Sequence, residues 1–376
     1  MSPDSRAPSR DPGVSPLILT VAITAAAMAM VMAPPRAEAA RWNWSGSGTL
    51  DYGRLLSAPG EQALAREGAI VEWSLKATAD VSEKTTATVR LCTSCHGLAV
   101  DQAYAEIRFR PQANLEAGRI TVPFGDFYMR YDPASDVFLS KPLPYEMGHM
   151  VRYQKDRFNL GVLPMPYADQ GAAFNGNVWI QDRLQIWYGL YGVNGFRSGV
   201  PQDFTFMDQT SIAGWSDNNR DVSWGGRLAL AQGAVTAGGS YLRGAYDPAA
   251  EYDYRVWGVD GSIHALGAQF RAEYLERSTD VFDAGRRQDL KKKGFYAQLE
   301  APAYRYITVV GRFDGLLREG PPLGTDNDAA SGITRWTIGV NVAPTTDYAL
   351  RAQLERWRFT DFTDLHAFHL GVVVTY

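Results

Sequence analysis

Two cysteines are all that this chain of 376 residues contains, too few to cross-link a protein of its size, so its stability has to come from chain pairing and packing. Histidine is scarce as well. His96, His149, His264, His366 and His369 are the whole set, and their spacing matches no metal-ligand pattern. Beyond the N-terminal segment there is no apolar run of the roughly 20 residues that a spanning helix needs, so any membrane crossing there has to be made with strands. An excess of positive charge is missing too. Lysine and arginine number 37 against 41 acidic residues, for a formal net charge of -4. That balance argues against a nucleic-acid partner. No G-x-S-x-G, H-E-x-x-H, P-loop or EF-hand pattern occurs, so no enzyme is expected. A barrel hydrolase with its groups gathered from several strands stays open as a third reading.

The N-terminus carries Arg6 and Arg10, an apolar run over 17–32, Pro34-Pro35 and the small-residue pattern Ala37-Glu38-Ala39. This order is that of a secretory signal peptide over 1–39, which leaves 40–376 as a single domain. Aromatics make up 12% of the chain, glycines number 36, and the mean hydropathy is -0.24. A water-like average is what a barrel with an apolar outside and a polar lumen gives.

Alternation with a period of two supports that reading most clearly at the C-terminus. Phe368, Leu370, Val372, Val374 and Tyr376 form one apolar row, while His369, Gly371 and Thr375 fall on the other face. Upstream, Tyr348, Leu350, Ala352 and Leu354 oppose Arg351, Gln353 and Glu355. Phe270, Ala272 and Tyr274 oppose Arg271 and Glu273, and Ile307, Val309 and Phe313 oppose Thr308, Arg312 and Asp314. With turn residues as punctuation, strands are predicted over 42–56, 70–82, 85–91, 98–110, 115–124, 172–181, 183–196 and 222–231. The remaining eight are predicted over 235–247, 252–265, 268–279, 292–301, 306–317, 333–343, 348–360 and 366–376.

The intervening segments fall into two alternating classes. Short turns follow 82, 110, 181, 231, 265, 301 and 343; longer connections occupy 58–69, 124–171, 197–221, 281–291 and 318–332. An all-β, transmembrane, antiparallel up-and-down barrel of about 16 strands has this asymmetry, with short periplasmic turns and long outer loops. It would sit in outer-membrane lipid after export through the periplasm. A large β-sandwich with one solvated face shares the alternation of faces but not the alternation of loop lengths.

Over 115–126, Leu-Glu-Ala-Gly-Arg-Ile-Thr-Val-Pro-Phe-Gly-Asp, the chain resembles the phosphate-selective porin O and P family, whose members often carry a Gly-Arg strand running into Pro-Phe-Gly. The matching residues here are Gly118, Arg119, Pro123, Phe124 and Gly125. The resemblance implies a barrel of sixteen strands, a long third loop folded into the pore, a lumen lined by lysine and arginine, and a homotrimer.

The inward faces read from alternation give lumen candidates Arg119, Arg227, Arg271, Arg312 and Arg351, with Glu106, Glu273, Asp314 and Glu355 among them. Mixed signs suit a transverse field that orients small polar solutes or anions during passive diffusion better than they suit a phosphate trap. Mutual neutralisation within the wall is the equally simple alternative. The loop over 124–171 contains Tyr128, Arg130, Tyr131, Asp132, Lys141, Tyr145, Arg152, Lys155, Asp156 and Arg157, which makes it the candidate constriction, unless a further strand lies over 158–165.

Both cysteines belong to Cys92-Thr-Ser-Cys95-His96, the C-x-x-C-H pattern of covalent haem c attachment. A local disulfide or free dithiol, or another metal, fits the same residues. With haem, His149, Met147 or Met150 could supply a sixth ligand, and the barrel would serve extracellular electron transfer; without it no cofactor is expected.

Overall fold

The computed structural model describes residues 41–56, 63–64, 68–94, 97–145, 151–152, 161–165, 167–198, 215–320, 332–360 and 364–376. The expected leader over 1–39, Cys95, His96, Met147, His149, Met150 and 153–160 lie outside them.

Sixteen antiparallel strands close into one barrel, each paired with its neighbours in sequence and the first with the last. The first eight are β1 (Arg41–Leu55), β2 (Gly68–Ser82), β3 (Thr85–Ser94), β4 (Gly97–Arg110), β5 (Ala113–Thr121), β6 (Ala168–Ile180), β7 (Leu184–Val193) and β8 (Ser223–Gln232). The second eight are β9 (Val235–Ala245), β10 (Asp253–Ala265), β11 (Ala268–Asp283), β12 (Arg286–Tyr304), β13 (Ile307–Glu319), β14 (Gly332–Val342), β15 (Tyr348–Phe359) and β16 (Leu365–Thr375). The seam is made by β1 and β16 in register from Ser47↔Thr375 to Leu55↔Ala367. Closure leaves no strand edge with unpaired backbone groups, the condition for sheet in lipid.

Side-chain orientation follows the predicted alternation. Leu350, Leu354, Leu370, Val372 and Val374 are exposed outward, whereas Arg351, Gln353, Glu355 and His369 are buried inward. Aromatics gather at both rims of the outer surface. Phe109, Trp179, Tyr304, Tyr306, Tyr348 and Tyr376 lie beside the short turns, and Trp224, Tyr241, Trp257 and Trp336 lie toward the loops. Two aromatic girdles around an aliphatic band are how a barrel meets the two lipid–water boundaries.

One segment differs from the sequence expectation. Residues 281–291 were expected to form a long loop, but β11 and β12 continue as a paired hairpin to Asp283 and Arg286, joined by Ala284-Gly285. Both turn residues have positive φ, 50° and 77°, the geometry of a two-residue hairpin turn. The run Asp-Ala-Gly-Arg-Arg-Gln-Asp over 283–289 carries no apolar alternation, so alternation alone does not signal that the strands continue to this turn. No strand occupies Gly161–Met165, the described part of the further strand considered above.

Apolar packing is concentrated inside the barrel. Between β5 and β6 the chain turns into the lumen, where Val122, Phe124, Phe127, Tyr145, Val162 and Leu163 pack against Tyr254, Val256, Leu275 and Tyr296 of the wall. Each fully buried side chain of this size contributes about 1.5–3 kcal/mol. The loop is therefore a plug with its own core. Its far side also touches the first loop, through a two-stranded pairing of Ala63–Leu64 with Val151–Arg152.

Candidate functional site

The inward course of the third loop begins at Pro123-Phe124-Gly125. Gly125 has φ 67°, and a Cβ there would overlap Glu273 Oε1, so the backbone can lie against the wall only because this residue is glycine. Its N–H donates to Ser240 Oγ at 3.0 Å. A short helix α1 (Asp126–Arg130) follows, and Glu273 of β11 accepts from the Phe127 N–H at 3.3 Å and from the Tyr145 hydroxyl at 2.8 Å. One wall carboxylate thus joins two separate stretches of the loop.

Farther on, the loop is held by β11 again and by the strands that follow it on the same arc, β13 to β15. Arg351 donates to the carbonyls of Pro133 and Ala134 at 3.1 and 2.8 Å, Asn341 to that of Val137 at 2.9 Å, and Arg312 to Ser140 Oγ at 2.7 Å. Asp314 accepts from the Leu143 N–H at 3.0 Å, and the Arg277 guanidinium donates to the Val162 carbonyl at 3.0 Å. Backbone groups that would otherwise be stranded inside a barrel are met by charged wall residues.

The same residues form a belt of alternating charge. Arg312 lies 3.3 Å from Asp314, Arg335 joins Asp314 to Glu355 at 3.5 Å, and His369 stands 3.7 Å from Glu355 and 3.4 Å from Asp51 across the seam. Elsewhere on the wall Arg227 forks onto Asp260, and Arg271 pairs with Glu300 at 2.8 Å. Arg119 is buried with its guanidinium 4.9 Å from the Trp215 ring, and Glu106 accepts from Thr86 Oγ1 at 3.1 Å and pairs with Arg108 at 3.3 Å. Every lumen candidate named from the sequence faces inward. Arg312, Asp314, Arg335 and Glu355 have fully covered side chains and act as loop anchors, so water does not reach them.

With the loop packed onto β7–β15, a cavity remains on the other side, between the loop and β2–β5. Its wall side is ionic and polar, with Glu72, Arg90, Cys92, Asp101 and Thr121. The loop contributes Tyr128, Tyr131, Pro133, Lys141 and Met165. Arg90 is shared between Asp101 at 3.5 Å and Asp132 at 3.4 Å, and Lys141 Nζ lies 5.4 Å from the Tyr131 ring centre. Tyr128 is 4% exposed, and its hydroxyl has no hydrogen-bond partner among the described residues.

Glu72, Arg90, Asp101 and the position of Lys141 against them were missed from the sequence. Asp101 escapes an alternation reading because β4 bulges there. Arg90 pairs with Gln102 and Leu91 with Val100, so Asp101 is the extra residue and the inward parity changes across it. For Asp101 that break of parity is the signal the sequence holds, whereas Glu72 and Arg90 continue the polar rows Glu72-Ser74-Lys76-Thr78 and Thr86-Thr88-Arg90, from which alternation could have named them.

Cys92 is a buried free thiol on β3 that faces this cavity, opposite Ala99. Ser94 and Gly97 are paired, so the two residues between them, Cys95 and His96, connect β3 to β4. The C-x-x-C-H run therefore starts at the cavity, and its Cys95 and His96 lie outside the described residues.

Outside the membrane-crossing strands, Asp217 lies in the connection between β7 and β8. Burial pushes its carboxyl up to about 6, against the opposing pull of hydrogen bonds from the Asn218 and Asn219 backbone and of the Arg197 charge.

No family model matches the chain, and no curated protein matches its sequence. Solved structures do match in fold. An anion-selective porin from Comamonas acidovorans is 10% identical with a TM-score of 0.59, over 90% of this chain and 100% of that one. The outer-membrane channel DcaP of Acinetobacter baumannii is 10% identical with a TM-score of 0.56, over 92% and 100%. OmpT in its trimer form, an outer-membrane protein of Vibrio cholerae, is 9% identical with a TM-score of 0.57, over 90% and 100%. At such identities the likeness is one of fold: a closed sixteen-stranded barrel of the kind that outer-membrane porins have.

Proposed function

We propose that this protein is an outer-membrane diffusion channel, not an enzyme, that passes small polar or anionic solutes along the cavity between its third loop and β2–β5. The observation that carries this reading is the asymmetric filling of the lumen. The loop is packed against one arc of the wall and leaves charged groups of both signs around the space that remains. Arg90 and Lys141 stand against Glu72 and Asp101, which gives a transverse field rather than a one-signed ladder. That balance favours general diffusion over the phosphate selectivity that the Gly118–Gly125 resemblance implies. Assembly as a homotrimer is supported by the trimer form of the Vibrio cholerae neighbour.

Reconstitution of the folded protein into a planar bilayer tests the reading. Stepwise ohmic currents are expected, with a reversal potential near zero in a potassium chloride gradient. Absence of current steps would overturn the channel, and strong anion preference with saturable block by phosphate would restore phosphate selectivity.

A further inference from the structure

At the loop end of the barrel, outward charges of both signs pair with one another around β9 to β13. Lys293 meets Glu319 at 2.7 Å, and Arg243 meets Asp253 at 3.7 Å. Around the seam one sign prevails. The outward rows of β14, β15, β16 and β1 carry Arg54, Arg356, Arg358 and His366 at this end, and no carboxylate. Arg356 lies opposite His366 on one side and Trp336 on the other, while Arg54 lies opposite Phe368. Residues two apart on a strand are about 7 Å apart and strands two apart about 10 Å, so long side chains from these positions reach one common point.

Asp364, just before β16, shows that they converge. Its Oδ2 is met by Arg356 Nη2 at 3.1 Å and by Arg358 Nε at 3.5 Å. One carboxylate between two guanidiniums leaves positive charge in excess, and both arginine side chains stay half-exposed. Arg54 is exposed and makes no ion pair among the described residues. Beside these cations a groove of about 390 Å³ runs over the lipid-facing surface, lined by Leu56, Trp336, Ile338 and Leu354, with Arg356 and His366 at its edge. Trp336 belongs to the loop-side aromatic girdle, which marks the lipid–water boundary, so the cations stand at the depth of lipid headgroups.

A soluble anion would leave the apolar groove empty. A second copy of this chain would bury the arginines against apolar surface with Asp364 as their only carboxylate, which desolvation opposes. An amphiphile with an anionic head meets both features at once. We infer that the seam carries a binding site for a phosphate-bearing lipid, with its head on Arg54, Arg356 and Arg358 and its chain in the groove beside Trp336. The site spans β15, β16 and β1, so a bound lipid braces the closure of the barrel and stabilises the folded state by mass action. Whether the barrel conducts does not enter.

The experiment titrates the folded, delipidated protein in detergent with dioleoyl phosphatidic acid, with dioleoylglycerol, which lacks the phosphate, and with inorganic phosphate, which lacks the chains. Native mass spectrometry reads bound lipid, and the heating temperature at which the folded gel band is lost reads the brace. Phosphatidic acid is expected to bind at a concentration about tenfold below dioleoylglycerol and to raise the melting of the band. The double change Arg54→Gln with Arg356→Gln should raise that concentration about tenfold and abolish the melting shift, and Trp336→Ala should raise it severalfold. Arg54→Lys with Arg356→Lys should keep most of the binding, and Arg243→Gln, an outward arginine on β9, should leave it unchanged. For the unaltered protein, raising salt from about 0.1 M to about 0.5 M should weaken phosphatidic acid binding and leave dioleoylglycerol as it was. Equal binding of the two lipids, or a melting shift produced as fully by inorganic phosphate, overturns the lipid assignment. A double variant that loses its oligomeric state while binding phosphatidic acid as before would make this face an interface between copies instead.

Discussion

Asp101 reaches within 3.5 Å of Arg90 Nε because β4 carries one residue more than β3 at that level. The bulge turns a residue that plain alternation would send to lipid into the cavity, where it neutralises half of a shared guanidinium; Asp132 holds the other half at 3.4 Å. Asp101→Asn should release positive charge into the path and shift the reversal potential toward anion preference. The expected change in permeability ratio is on the order of fivefold, the factor that about 1 kcal/mol between unit charges ~4 Å apart in water supplies. Lys141→Gln should move it the opposite way. Bilayer reversal potentials in a salt gradient check both signs, and a shift in the same direction for the two variants would show that these residues do not set the field.

Glu273 ties α1 to Tyr145 through two hydrogen bonds, so the loop's entry and its return share one anchor. Glu273→Ala should leave the Phe127 N–H and the Tyr145 hydroxyl unpaired inside the barrel, at about 1–3 kcal/mol for each. The loop would then leave the wall more often. Expected readouts are larger and noisier single-channel currents, together with a lower melting temperature of the folded gel band. Unchanged current noise would mean that the apolar packing of Phe124, Phe127 and Val162 holds the loop without this carboxylate.

At the barrel seam His369 of β16 sits between Asp51 of β1 and Glu355 of β15. His369→Ala removes the group between two inward carboxylates and leaves Glu355 with Arg335 and the side-chain N–H groups of Gln353 and Trp357. Removing one partner of a buried charged set costs about 3–5 kcal/mol. The urea midpoint for unfolding in detergent should fall accordingly, whereas His366→Ala, on the outward face of the same strand, should leave it nearly unchanged. Equal effects of the two would contradict a seam role for His369.

Cys92 faces a cavity lined by Glu72, Arg90 and Asp101, so a porphyrin attached there would have to set its apolar face against three charged groups. The protein purified from a host with active haem c maturation is therefore expected to be colourless. Thiol titration after unfolding should detect Cys92. A Soret band that disappears in Cys92→Ala would place the chain in electron transfer instead.

Alternation along β15 and β16 was enough to name the lipid and lumen faces, because Leu350, Leu354, Leu370 and Val374 meet lipid while Arg351, Glu355 and His369 cannot. The same logic located every strand of the barrel and missed the hairpin extension and the bulged Asp101; Glu72 and Arg90, on regular polar rows, were open to it. Over 283–289 the run Asp-Ala-Gly-Arg-Arg-Gln-Asp carries no apolar alternation, and Asp101 sits at the bulge. The cavity itself was not legible. The third loop was recognised as a constriction from its length, but which arc it fills depends on pairs such as Tyr145 with Glu273 and Arg312 with Ser140, separated by 128 and 172 positions. Local pattern carries no information at that range.

Asp217 gives a pH dependence whose sign follows from its environment. Burial raises its carboxyl to about 6 in the folded loop, above the value it takes when the loop is open, so the closed loop binds the proton more tightly. Loop closure is then strongest below about pH 4, weakens as pH rises from about 4 to 6, and is flat above that window. Trp215, two residues away and stacked against the Arg119 guanidinium, would feel the opening. Hydrogen exchange of the backbone over 215–221 should quicken between pH 4 and 6, once the intrinsic pH dependence of exchange is divided out. Asp217→Asn should hold the protected state across the window. A variant that kept the wild-type pH profile would assign the transition to another group, and one that opened at every pH would show that the Asp217 oxygens, which face the Asn218 and Asn219 backbone, are what hold the loop closed.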